Sequence, residues 1–370
     1  MMARIKSFLF KFAAAFMGIT TFAIVAEIIL RFFPVTQGFH SLPVNADNPI
    51  ARCRPNRTVQ WSAFWDFSMR NVVHVNNYGF ISDLDYDPHD RRPLLAIIGD
   101  SFVEAIAVPW PQTGAARLHR RLKERGRVYA FGKSGAPLSQ YLAYAEYVKQ
   151  TFQPDGLLII VVGNDFDESL IKNMRLPGFH YFIADSTGNL ALKRVDYAIG
   201  PAIAIMRRSA LFMYLMVNAR LPDFYQEWQY RRTQTMFVGN TSANTDSIRL
   251  AQSRLVVDTF LSRLPAMAGL DAAKILFVVD GMRPQLYDDE IRAAAATSYF
   301  GNMRRYFTQN AVAQGFEVID MQPIFFQHYQ RLGRTFDFPH DNHWNSLGHQ
   351  LFAEAVAESK VFLQINANGE

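Results

Sequence analysis

Residues 94–105 read LLAIIGDSFVEA: five apolar residues and a glycine, then Asp100 and Ser101. A short apolar run of this kind has the length of a strand buried on both faces. A hydroxyl placed where such a strand ends lies where an open parallel sheet gathers its reactive groups. Similar runs recur at 128–131 (VYAF), 157–162 (LLIIVV), 275–279 (ILFVV) and 316–320 (FEVID). Amphipathic stretches separate them, among them AARLHRRLKER, SQYLAYAEYVKQ and IRLAQSRLVVDTFLSRL. Strand and helix alternate, so the pattern predicts an α/β fold with a mostly parallel five-stranded sheet and helices on both faces.

The 370 residues suffice for one large domain or two modest ones, and 49% apolar with 14% aromatic residues excludes wholesale disorder. A formal charge of +5 is mild and the arginines are scattered, so no nucleic-acid partner is expected. The single cysteine, Cys53, allows no intramolecular disulfide and no cysteine-based metal site. More than 100 residues separate the third and fourth apolar runs. They include FHYFIADSTGNLALKRVDY, which reads as a hairpin turned at STGN, and SALFMYLMVNA, which reads as an apolar helix. An insertion or cap over about 170–250 is therefore expected.

Residues 12–30, FAAAFMGITTFAIVAEIIL, carry one charge, Glu27, and come close to the length of a membrane-spanning helix. Arg4, Lys6 and Lys11 precede them, which orients the start to the cytoplasm and the rest outside, in the periplasm of a Gram-negative cell. A cleaved signal peptide is the rival, opposed by the poor cleavage site around Ala26 and by an apolar run that continues through it. The expected layout is a stub and inner-membrane anchor at 1–33, a proline-bearing linker at 34–70, and a catalytic domain at 71–365.

The predicted strand ends carry GDS (99–101), FGKSGAP (131–137), GND (163–165) and, late in the chain, FPHDNHWNSLGH (338–349). Acyl transfer needs a nucleophile activated by a base. Ser101 and His343 supply these, and Asp341 would fix the imidazole tautomer. The developing oxyanion needs preorganised donors. The N–H of Ser101, the N–H of Gly135 and the side-chain amide of Asn164 are the candidates. Taken singly each block is ordinary, and their joint order after successive strands is what carries the reading.

In these four blocks, GDSF, GKSGAP, VGNDF and DNHWNSLGH, the chain resembles the SGNH superfamily of GDSL-type hydrolases over roughly residues 75–360. The resemblance implies a flavodoxin-like three-layer α/β/α sandwich. It also implies serine esterase or O-acyltransferase chemistry at Ser101, Gly135, Asn164, Asp341 and His343. The anchored, exported layout is similar to SGNH-like proteins of bacterial polysaccharide O-acetylation. That likeness implies an acylated glycan or other ester substrate, with polysaccharide biosynthesis or export proteins as partners. The family often places its acid three residues before the histidine. Here that position is His340, the acid Asp341 is two before, and Asp337 is the alternative orienter.

Asp100, Asp165, Arg283 and Trp344 are candidates for contacting substrate, with an ion pair between Asp280 and Arg283 that holds a loop as the plainer reading of that pair. His340, His343 and His349 could collect a zinc ion with Asp341. That would leave the serine, glycine and asparagine blocks without a purpose, so no cofactor or metal is expected. A catalytically silent glycan-binding or scaffold subunit of an export complex is the alternative from another class.

Overall fold

The computed structural model describes residues 2–222 and 236–369. They form two compact units: Met1–Phe39, Thr58–Val72 and Ile199–Arg232 in one, and His40–Arg57, Val73–Ala198 and Thr233–Glu370 in the other.

The larger unit is built on five parallel strands: β1 (Leu94–Gly99), β2 (Arg127–Gly132), β3 (Gly156–Val161), β4 (Ile275–Val279) and β5 (Glu317–Asp320). Their order across the sheet is β2-β1-β3-β4-β5, the flavodoxin-like doubly wound order, whose switch point lies where β1 meets β3. Ile98 of β1 pairs with Phe131 of β2 on one side and with Ile159 of β3 on the other.

Alternation along each strand feeds two cores, because successive side chains point to opposite faces. Leu94, Ala96 and Ile98 join Leu157, Ile159, Phe277 and Val279 beneath helices Leu138–Phe152, Ser247–Ala268 and Tyr299–Ala313. Leu95 and Ile97 join Leu158, Ile160, Leu276 and Val278 beneath Gly114–Leu122, Met321–Leu332, Ser346–Ala357 and Lys360–Ala367. The result is the three-layer α/β/α sandwich. Asn345 caps helix Ser346–Ala357, its side-chain oxygen accepting from the N–H of Leu347 at 2.9 Å and of Gly348 at 3.1 Å. This cap starts the helix within the histidine block, three residues after His343.

Within the expected insertion, His180–Ala184 and Leu190–Arg194 pair as an antiparallel hairpin. Asp185 closes its turn by accepting from the N–H of Thr187 and of Asn189. Residues 223–235 of that insertion lie outside the described residues. The stretch 34–70, expected as a linker, contains one whole strand, Arg57–Ala63, which pairs with Met69–Val75 in a two-stranded sheet. RTVQWSA is difficult to read as a strand because it buries only Val59 and Ser62.

In the smaller unit the helix Met2–Leu30 is continuous. Among the described residues it is the one helix long and apolar enough to cross a membrane, over Ile5–Leu30 with mean hydropathy 2.1 and none of its most apolar window buried.

Phe277 sits inside the sheet against the rings of Phe260, Phe307 and Phe316, at 6.1, 4.9 and 5.1 Å between centroids. Phe277→Ala leaves a cavity that the surrounding rings fill poorly. The expected destabilisation is about 3–5 kcal/mol, read by urea unfolding in detergent. A loss near zero would mean that this layer is not close-packed.

Candidate active site

Ser101 opens the short helix Ser101–Glu104 at the end of β1. Asp100 caps this helix: one carboxylate oxygen accepts from the N–H of Phe102 at 3.0 Å and the other lies 3.2 Å from Ser101 Oγ. The cap explains why an acidic residue follows a buried strand, since orphan N–H groups at a helix start need an acceptor. Burial pushes the Asp100 carboxyl up to about 6.

His343 arrives from the far end of the chain on a small antiparallel pair, Asp337–Phe338 with Asp341–Trp344. In a strand, residues two apart share a face. Asp341 and His343 therefore lie side by side, and the two-residue spacing that departs from the family pattern is the spacing this geometry requires. His343 Nδ1 is hydrogen-bonded to Asp341 Oδ1, which also accepts from the His343 N–H at 2.8 Å. His343 Nε2 is 2.7 Å from Ser101 Oγ. With Nδ1 carrying its proton toward Asp341, Nε2 is the acceptor and the serine hydroxyl donates. Asp337 is engaged elsewhere, accepting from the Tyr287 hydroxyl at 2.6 Å. The structure thus places Asp341, not Asp337, against the imidazole.

Electrostatics follow the contacts. Burial disfavours charge on His343, but the hydrogen-bonded Asp341 carboxylate outweighs it and holds the imidazole pKa above its ordinary value. Burial likewise pushes Asp341 up, and its bonds to His343 outweigh that and keep it below the usual carboxylate range.

Gly135 and Asn164 stand in the loops after β2 and β3, the two strands that flank β1. Gly135 has φ +81°, a left-handed backbone that a side chain would strain. Glu104 supports this loop from the serine helix: buried, it accepts from Lys133 Nζ at 2.7 Å, from the Ser134 N–H at 2.9 Å and from the Ser134 hydroxyl. The Asn164 amide nitrogen donates to Glu168 at 2.9 Å, while its side-chain oxygen is buried without a partner among the described residues. Burial pushes Glu168 up to about 7. Neither Glu104 nor Glu168 was distinguishable in the sequence, because each acts only through a loop that the fold brings to it.

The substrate contacts expected of Asp100, Asp165, Arg283 and Trp344 give way to a different arrangement. All four side chains are buried and committed internally. Asp165 accepts from the N–H of Val162 and from the Tyr141 hydroxyl, and burial, with Asp100 next in effect, pushes it well above the carboxylate range. Arg283 forks onto Asp280, and Asp280 also accepts from the Trp344 indole N–H at 2.9 Å. Arg283 reaches the Asn342 carbonyl beside His343, and its guanidinium lies over the Phe102 ring at 4.8 Å. The loop-holding ion pair is the reading this geometry favours. His349 is buried, accepts from the Gly114 N–H at 3.2 Å and is pushed down to about 3 by burial.

Asp341→Asn removes the charge that lifts His343. The imidazole pKa is expected to fall below its wild-type value, read by its NMR titration. An unchanged titration would mean that another group sets it. Arg283→Met strands Asp280 in the interior, at a cost of roughly 3–5 kcal/mol in unfolding free energy. A variant as stable as the wild type would remove this pair from the histidine support.

No protein-family model matches the chain, and no curated protein does. Several solved structures are similar. A lipolytic protein of the G-D-S-L family from Veillonella parvula has 13% identity and TM-score 0.38, covering 72% of this chain and 97% of its own. A lipase/acylhydrolase from Enterococcus faecalis has 12% identity and TM-score 0.39, covering 74% and 96%. An acetyl xylan esterase has 11% identity and TM-score 0.42, covering 71% and 97%. The order of the five strands, the hydroxyl at the end of β1 and the imidazole delivered beside it by the late Asp-Asn-His stretch are arranged as the resemblance to SGNH-type hydrolases implies.

Proposed function

We propose that this chain is a membrane-anchored serine esterase or O-acyltransferase that acts on ester groups of an envelope or secreted glycan through an acyl-enzyme on Ser101. The observation that carries the reading is the unbroken contact from Ser101 Oγ to His343 Nε2 at 2.7 Å, continued from Nδ1 to Asp341. His343 takes the hydroxyl proton as Oγ bonds to the ester carbonyl carbon. Negative charge then gathers on the carbonyl oxygen, where the N–H of Ser101, the N–H of Gly135 and the Asn164 amide are the proposed donors. Collapse expels the alcohol, which recovers the proton from His343, and the acyl group stays on Ser101. Water completing the second half makes a hydrolase, and a sugar hydroxyl makes a transferase. Both use the same base and the same donors.

In this scheme Asp100 holds the serine helix, Arg283 the histidine strand, and Asp165 the loop that carries Asn164. The anchor reading rests on the length and hydropathy of Ile5–Leu30 and on Arg4, Lys6 and Lys11 before its apolar stretch. It puts the chain once through the inner membrane with the catalytic unit on the periplasmic side.

The test is labelling of the full chain by a fluorophosphonate, together with turnover of a chromogenic acetyl ester. Ser101→Ala is expected to abolish labelling and to lower turnover by about six orders of magnitude. Equal labelling in both proteins would exclude the serine mechanism, and no reaction in either would favour the silent scaffold. Asn164→Ala, with Ser101 intact, is expected to lower turnover by about 10²–10³-fold, and an unaffected rate would remove the amide from the oxyanion site. Turnover requires neutral His343, so it should fall as pH drops through the raised histidine pKa, and Asp341→Asn should carry that limb to lower pH. A fall in the opposite direction would make His343 an acid rather than a base. Product analysis with an oligosaccharide acceptor separates hydrolase from transferase.

A further inference from the structure

Residues 12–26 of the N-terminal helix are uncharged, with Lys11 at one end and Glu27 at the other. The apolar stretch Ile5–Leu30 has 26 residues, about 39 Å at 1.5 Å per residue against a hydrocarbon core of about 30 Å. A carboxylate is expensive inside that core. In a spanning helix, Glu27 is therefore held near the outer headgroup boundary.

Glu27 does not face lipid alone. Its oxygens accept from the Ser209 hydroxyl at 2.8 Å, the Ala210 N–H at 3.1 Å and the Leu211 N–H at 2.8 Å, and Arg31 pairs with it at 2.7 Å. The carboxylate thus caps the start of helix Ala210–Met213, which continues as a wide turn through Tyr214–Asn218. Asn218 is tied to the Ser62 hydroxyl at 2.9 Å, and the Tyr214 hydroxyl donates to the Trp65 carbonyl at 2.9 Å. These bonds carry the depth of Glu27 over to segment 199–222. The surface there fits that depth. Ile203 and Ile205 are 43% and 66% exposed, Met206 44% and Leu221 54%, and nearby Phe32 and Trp65 are 85% and 72% exposed. The segment carries Arg207, Arg208 and Arg220 and no acidic residue.

We propose that segment 201–222 is a second membrane element: it lies in the outer headgroup layer of the bilayer crossed by the N-terminal helix, with its isoleucines at the acyl boundary and Arg207 and Arg208 on anionic phospholipid headgroups. The proposal rests on the anchor reading. Apolar residues at the boundary and arginines at the headgroups are the pattern of an interfacial segment. The observation that joins the two is the hydrogen bonding of one carboxylate on the spanning helix to three consecutive residues of the segment.

The test uses the full chain in vesicles of phosphatidylcholine with or without phosphatidylglycerol, carrying an environment-sensitive fluorophore at Ile205→Cys or, separately, at Ile19→Cys. Native Cys53 is buried, and the unmodified chain serves as the labelling control. Quenching by lipids with a spin label high in the acyl chain should exceed quenching by deep-labelled lipids about twofold at position 205, with the reverse at position 19. Arg207→Glu with Arg208→Glu should abolish the extra quenching at 205 that phosphatidylglycerol brings and leave position 19 unchanged. Glu27→Leu should lower the quenching at 205 alone. A label at 205 in water while that at 19 is deeply quenched overturns the proposal and keeps the anchor. A label at 19 in water overturns both.

Discussion

One hydrogen bond joins residues 242 positions apart, Ser101 Oγ to His343 Nε2, and the arrangement of the larger unit serves it. The hydroxyl is delivered by a strand at the centre of the sheet and the imidazole by a hairpin of a few residues late in the chain. A sheet that packs densely on both faces fixes the first. The second needs support of another kind, because a short hairpin has little core of its own.

Buried polar groups, each with a partner from another segment, hold the hairpin and the neighbouring loops. Asp280 receives the Arg283 guanidinium and the Trp344 indole, Asp165 receives Tyr141 and the Val162 N–H, and Glu104 receives Lys133 and Ser134. A buried charge without such partners would be costly, so each carboxylate enforces the loop positions that satisfy it. Phe102 adds an apolar contact, its ring 5.0 Å from the His343 ring and 5.2 Å from that of Trp344.

The smaller unit uses the same device with a different purpose. Glu27 is the one charge in residues 12–30 of its helix, and it is satisfied by the backbone and hydroxyl of residues 209–211. In both units an acidic side chain determines where a separate piece of chain must sit.

Much of this was legible in the amino-acid sequence. The five apolar runs predicted the layered sheet, and the blocks at their ends and the late histidine pointed to Ser101 and His343, which the fold brings into contact, because strand length and the chemistry of acyl transfer both leave local marks. The apolar stretch near the start is equally local. The orienting carboxylate was not decidable that way: Asp341 and Asp337 are both near in sequence, and only the strand Asp341–Trp344 puts one of them on the face of His343. Nor could spacing tell that Trp344 and Arg283 turn inward, or that Glu104, Glu168 and Glu27 have partners 30, 4 and more than 180 residues away. Composition and periodicity report which residues are apolar and how they alternate, whereas the partner of a buried charge depends on which loops the packed core brings together.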